Sequence, residues 1–205
     1  YLLEKPEDST KSILAYSYSH ITSNFPIILN TGNLNPIALY TGYENSAAID
    51  DQGHIIYVPK KVEKTTLLNS FPLPGNEKAI GVAITLKFVF ALSSAGSVYS
   101  SSIPSNNQLN FSKVKELDGI EIVDISASFD HCLVAAKNGK VYGFGSNEYG
   151  ELGLGRMKKE AKKFTEISSL KKYQICKVFA GSTHSLFLTS DDQYLACGSN
   201  KNILR

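Results

Sequence analysis

A chain of 205 residues, 42% hydrophobic and 20% charged, with 21 basic against 19 acidic side chains, can fold around a substantial core and gives no ground for a whole-surface attraction to nucleic acid or membrane. Its nearest approach to an eighteen-residue apolar run, Ile80 to Ala95, is broken by Thr85, Lys87 and two serines, which excludes a helical membrane span. The three cysteines, Cys132, Cys176 and Cys197, form no CxxC pair and stand apart from any histidine cluster; this excludes a zinc site and leaves free thiols in a reducing, intracellular setting, cytoplasmic with the nucleus as the alternative.

Taken in chain order, the opening Tyr1-Leu2-Leu3-Glu4-Lys5-Pro6-Glu7-Asp8 has acids and a proline where a secretory leader needs an apolar centre, so no leader is expected there. A partial unit over 1–35 follows from Ile13-Leu14-Ala15-Tyr16-Ser17-Tyr18, which aligns with Val141–Ser146 and sets Lys11 opposite Gly139. Four ribbons then recur: Asn45–Ile49, Phe88–Leu92, His131–Ala135 and His184–Leu188. Each is followed by a turn residue at a fixed offset, namely Gly53, Gly96, Gly139 and Asp192, so the intervals are 43, 43 and 53 residues. A period in this range marks an array of supersecondary units. The expected units are 36–78, 79–121, 122–174 and a partial 175–205, in one propeller segment spanning 1–205.

The unit beginning at residue 122 is the clearest. Ile122–Ala127 reads as a strand, Ser128–Asp130 as a bend, His131–Ala136 as a second strand and Lys140–Gly145 as a third. Between the last two stands Asn138-Gly139, a strong hairpin signal because both residues accept positive φ. His131, Leu133 and Ala135 face one way and Cys132, Val134 and Ala136 the other. Both faces are apolar or small, so each sheet should be covered on both sides by its neighbours. Small sheets stacked in this way describe a β-propeller, and the fold class expected is all-β.

The longer last interval places ten extra residues between Gly155 and Phe164. Arg156, Lys158, Lys159, Lys162 and Lys163 fall there, with Glu160 alone opposing them. The plain reading is a solvated loop, in which a helical turn would make Lys158/Lys162 and Lys159/Lys163 repelling pairs. The functional reading is a contact for an acidic partner surface or for phosphates, and nucleic acid is expected only through this 156–163 basic loop.

Other polar features read as structural. His131 and His184 recur with the period, so a buried hydrogen bond within the repeat is expected of them. Gly143-x-Gly145 lacks the third glycine and the helix of a dinucleotide loop. Asp50-Asp51 and Asp191-Asp192 suit turns. Asn110-Phe111-Ser112 matches the glycosylation pattern, and a lone match carries no weight. No catalytic residue, metal or cofactor is expected.

Gly145-Ser146-Asn147-Glu148-Tyr149-Gly150-Glu151-Leu152-Gly153-Leu154-Gly155, with the preceding His131-Cys132-Leu133-Val134, Gly139 and Val141-Tyr142, resembles the repeat of the regulator of chromosome condensation family, roughly G-x-x-H-S/T, an apolar run, then G-x-V-Y-x-W/F-G-S-N-x-x-G-Q-L-G-x-G. Gly181–Ser185 and Cys197–Asn200 match it again, whereas the units at Gly53 and Gly96 have Asn45 and Phe88 for the histidine, and Ser100-Ser101-Ser102 replaces the glycine-rich tail of the latter. The resemblance implies a propeller that closes with seven blades of about fifty residues, of which this chain supplies about four, as an incomplete ring or a segment. It implies a non-enzymatic scaffold that presents loops to a protein partner. The alternative it implies is guanine-nucleotide exchange on a Ran-like small GTPase, the founding member's activity. Light sensing, known in a plant ultraviolet-B receptor of this fold, requires tryptophans, and the chain has none.

Overall fold

Glycine turns and two-sided apolar strands decide the architecture. The computed structural model describes residues 33–42, 45–59, 68–155 and 157–199, together with three backbone strands, β1 (Leu2–Glu4), β2 (Ile13–Tyr16) and β3 (Ile27–Asn30). These three pair antiparallel in the order β1-β2-β3; Lys11, Ser17 and Tyr18 of the partial first unit lie outside the described residues. Blade 2 comprises β4 (Pro36–Thr41), β5 (Ser46–Asp50), β6 (Ile55–Val58) and β7 (Ser70–Phe71). Blade 3 is β8 (Ala79–Ile84), β9 (Phe88–Ser93), β10 (Val98–Ser102) and β11 (Ser112–Lys113). Blade 4 is β12 (Ile122–Ala127), β13 (His131–Ala136), β14 (Val141–Ser146) and β15 (Glu160–Glu166), and blade 5 is β16 (Ile175–Ala180), β17 (His184–Thr189) and β18 (Tyr194–Gly198). Every sheet is an antiparallel meander with its strands in chain order.

The recurring turn does two jobs. Gly53, Gly96, Gly139 and Asp192 all have positive φ. Their amides close the second hairpin of each blade, as Gly139 N–H does on the Ala136 carbonyl at 2.9 Å. The turn carbonyl then receives the next blade: Ala79 N–H donates to Gly53 O, Ile122 N–H to Gly96 O and Ile175 N–H to Gly139 O. The incoming chain passes so close that a Cβ on Gly139 would collide with the Gln174 side chain and lie 3.1 Å from its Cα. Glycine is therefore required there both by φ and by space.

Strand alternation shares the core between neighbours. Val89 and Ala91 of β9 pack with Ile49, Ile55 and Tyr57 of blade 2. Phe90 and Leu92, on the opposite face, pack with Cys132, Val134 and Ala136 of β13. Leu133 and Ala135 face blade 5, where Ile175, Val178 and Phe187 receive them. All six residues of β13 are buried, whereas β17 alternates buried with half-buried positions. The sheets are thus propeller blades stacked face to face. One recurrent detail carries no sequence signal: each first strand bulges at its second residue, so Ile37, Ile80, Val123 and Cys176 drop out of the ladder and stand exposed.

Candidate functional site

Two successive blade junctions hold a buried polar network and a walled cavity, and four basic residues, Lys158, Lys159, Lys162 and Lys163, lie on the outer part of the blade they share. At the junction of blades 4 and 5, His131 is 1% exposed. Its Nε2 lies 3.0 Å from Ser185 Oγ, and that hydroxyl donates its single proton to the Glu151 carbonyl at 2.6 Å. The imidazole is therefore the donor to Ser185 through Nε2–H. Its Nδ1 is buried without a partner, and burial pushes its pKa down to about 4, so the ring is neutral at pH 7. Cys197 Sγ–H donates to the same Glu151 carbonyl at 3.1 Å, and burial raises that thiol to about 12. The arrangement offers neither a thiolate nor an imidazolium, and its hydrogen bonds serve to join two blades.

The glycine-rich tail that follows β14 is the plug of this junction. Asn147 is buried; its Oδ1 accepts Leu152 N–H at 2.8 Å, and its Nδ2 donates to the carbonyls of Gly155 and Lys158. The Glu151 carboxylate accepts Ser146 Oγ–H at 2.7 Å and Tyr149 N–H at 2.8 Å. So stapled, the loop drives Leu152, fully buried, onto Gly143, where a Cβ would come within 2.8 Å of the leucine methyl. Gly145 has φ 97°, and a Cβ there would run into the Asp130 carbonyl. These glycines hold a loop and cradle no phosphate. Two further links join the first strands of the same blades: Val178 N–H donates to Asp124 Oδ2 at 2.8 Å and Ala180 N–H to Ser126 Oγ at 3.0 Å. Asn147, Glu151, Asp124 and Ser126 had no functional reading in the sequence, since their partners lie across a blade boundary or along the folded loop.

At the junction of blades 3 and 4 the same positions carry other chemistry. Phe88 stands where His131 stands one blade later, and Cys132 where Ser185 stands. Phe88 meets Phe144 edge-on at 5.4 Å between ring centroids, and Phe90 and Phe164 complete a cluster of four rings. The connection after β10 does not cover them; its Ile103, Leu109 and Phe111 pack back toward blade 2. What remains is a cavity of about 380 Å³. Phe88, Phe144 and Gly145 line it, with Lys87, Lys159, Asp130, Glu148 and Glu160 among its polar walls.

Lys158, Lys159, Lys162 and Lys163 lie on the outer part of blade 4, and Lys159 lines this cavity. Arg156 lies outside the described residues. Lys158 and Lys159 are exposed ends of the plug, their carbonyls taken by Asn147 Nδ2 and N–H. The segment then becomes strand β15, neither a solvated loop nor a helix over its second half. In its pairing with β14, Gly143 opposes Thr165 and Gly145 opposes Ala161, so three β15 residues face one on β14. Exposed Lys162 and Lys163 fall in this bulge, and Lys163 Nζ lies 3.6 Å from Glu116 Oε1 of blade 3. The structure places Lys162 and Lys163 on the outer strand and Lys158 and Lys159 in the segment that enters it, and brings Lys159 to the cavity wall. Among the described residues no group of three or more His, Cys, Asp or Glu side chains is placed to hold a metal, and no helix is long and apolar enough to cross a membrane.

Two sequence families, each described as the regulator of chromosome condensation (RCC1) repeat, match this chain, one over residues 138–188 and the other over 122–151 and 175–202. Residues 122–202 of the chain match RCC1 repeats. The matched residues are those of blades 4 and 5; blade 3, with Phe88 and the serine run, and blade 2 lie outside them. A human relative, probable E3 ubiquitin-protein ligase HERC4, is 34% identical over 88 residues, covering 43% of this chain and 8% of the relative. Human HERC6, with the same ligase description, is 30% identical over 52% of this chain and 11% of its own length. Mouse Alsin is 32% identical over 40% of this chain and 5% of its length. The RCC1-bearing chain thus spans about a tenth or less of these relatives. Among solved structures, Prp20p from Saccharomyces cerevisiae superposes with a TM-score of 0.67 at 19% identity, covering 81% of this chain and 45% of the other. Human WBSCR16 does so at 0.65 and 16%, covering 80% and 47%. At these identities the likeness is one of fold, an RCC1-type β-propeller.

Proposed function

We propose that the chain is a non-enzymatic protein-interaction scaffold, a propeller segment that offers the outer edge of blade 4 to an acidic surface on a partner protein. The observation that carries this reading is the run of exposed ammonium groups on Lys158 and Lys159, just before β15, and on Lys162 and Lys163, in the bulge of β15. Clustered ammonium groups on a rigid strand favour association with an opposite potential and make it dependent on salt. The setting proposed is intracellular. The ligase descriptions of the HERC proteins belong to chains of which the matched part is about a tenth, and His131 here serves a blade junction, so no catalytic step is assigned to the segment.

The test is capture of partner proteins from a cell extract by the chain and by a variant with Lys158, Lys159, Lys162 and Lys163 replaced by glutamine. Partner recovery and its salt sensitivity should both fall; unchanged recovery would remove the lysine contact. A second reading has one observation in its favour: Prp20p, a structure of similar fold, is described as binding Gsp1p and histones. If the chain exchanged nucleotide on a Ran-like GTPase, it would accelerate nucleotide release from that GTPase in a purified assay, and such acceleration would displace the scaffold reading.

A further inference from the structure

The unfilled junction points to a second contact of different chemistry. At the junction of blades 4 and 5 the chain inserts its own extended segment: the Glu151 carbonyl is held by Ser185 and Cys197, and Leu152 is the apolar anchor. At the junction of blades 3 and 4 the corresponding connection packs its Ile103, Leu109 and Phe111 the other way. Phe88 and Phe144 stand at positions equivalent to His131 and Cys197, and the space beside them is left as the 380 Å³ cavity, within the range of ligand pockets, about 300–1,000 Å³.

Its walls are set before any ligand arrives. Leu86 N–H donates to Phe129 O at 2.9 Å, tying the turn of blade 3 to that of blade 4. Thr85 Oγ1 accepts the amide of Phe88 at 3.0 Å, and Ser146 N–H donates to Asp130 O at 2.8 Å. The rings beneath are locked edge-on against one another. Around them stand three carboxylates, Asp130, Glu148 and Glu160, against two ammonium groups, Lys87 and Lys159. No ion pair engages any of the five among the described residues.

We propose that this cavity takes an extended segment of a partner protein by one apolar side chain seated on Phe88 and Phe144, next to a cationic residue that meets Asp130, Glu148 and Glu160. The occupant copies what the chain's own plug does one blade later. Lys87 and Lys159 donate to its backbone carbonyls, the role Ser185 and Cys197 play toward Glu151. The excess of one negative charge on the walls selects arginine or lysine beside the anchor and disfavours an acid. The proposal rests on the reading of the chain as a protein-binding module, and its site is separate from Lys158, Lys162 and Lys163.

The experiment is titration of the isotope-labelled 205-residue chain with N-acetyl-Phe-Arg-amide and N-acetyl-Phe-Glu-amide, followed through the backbone amides of Phe88, Gly145 and Ser146. The arginine probe should give saturable shifts there in the millimolar range, and the glutamate probe should bind roughly threefold more weakly, the size that an exposed ion pair supports. Phe88→His, which restores the histidine of the later blades, should abolish saturation. Glu148→Lys with Glu160→Lys, both at exposed positions, should reverse the preference between the probes and does not depend on the Phe88 variant folding. Glutamine at Lys158, Lys162 and Lys163 should leave the titration unchanged even where it weakens partner capture. Absence of saturable shifts, shifts centred elsewhere, or equal affinity for the two probes would overturn the proposal.

Discussion

Two successive junctions of this propeller segment are built from one repeat and end in opposite states. Between blades 4 and 5 a histidine, a serine and a stapled glycine-rich loop close the gap with polar contacts and one buried leucine. Between blades 3 and 4 a phenylalanine and a cysteine occupy the first two positions, the loop turns away, and a walled cavity remains. The pairs change together: where His131 finds a hydroxyl on the next blade, which accepts its Nε2–H, Phe88 finds a thiol buried in apolar surroundings. A degenerate repeat is therefore not a worn copy of a good one. Loss of the plug frees a surface that the intact repeat spends on itself.

The comparison breaks most readily at the plug. Leu152→Ala should cost about 3 kcal/mol, the usual result of deleting a fully buried leucine that cannot be replaced by collapse. It would be read as a lower denaturation midpoint with an unchanged slope. A cost below about 1 kcal/mol would mean that the loop merely lies over the junction.

Acid should separate the two junctions next. His131 is neutral and buried, with a pKa near 4 against 6.5 when unfolded. As pH falls below 6.5 the unfolded chain takes up this proton first, so the folded state loses stability down to about pH 4, by roughly 3 kcal/mol in all. His131→Phe removes this group and should flatten that part of the curve, whatever it does to stability at pH 7. An acid limb of the same depth in the variant would place the responsible group elsewhere.

Much of this architecture is legible in the amino-acid order because it rests on short-range rules. Positive-φ turns at Gly53, Gly96 and Gly139, and apolar residues on both sides of His131–Ala136, specify hairpins that must be covered twice. What stayed hidden depends on partners distant in sequence or on a choice between two packings. Asn147 and Glu151 look like ordinary members of a glycine-rich stretch until Leu152 N–H and Ser146 Oγ–H are seen to point at them. The bulged Ile37, Ile80, Val123 and Cys176 carry no local mark, since a bulge is set by pairing with the next strand. The lysine-rich insertion reads as a loop from its charge, yet Ala161 and Phe164 are buried and make it an outer strand. The cavity could not be foreseen, because it arises from the turn of residues 103–111 toward the opposite junction.

A double-mutant cycle on His131 and Ser185, 54 residues apart and on different blades, addresses the central claim that repeat-equivalent positions are contact partners across these two junctions. His131→Phe and Ser185→Cys together recreate the pair found one junction earlier, so the double variant should be more stable than the sum of the single losses by about 1 kcal/mol or more. Additivity within about 0.3 kcal/mol would contradict it.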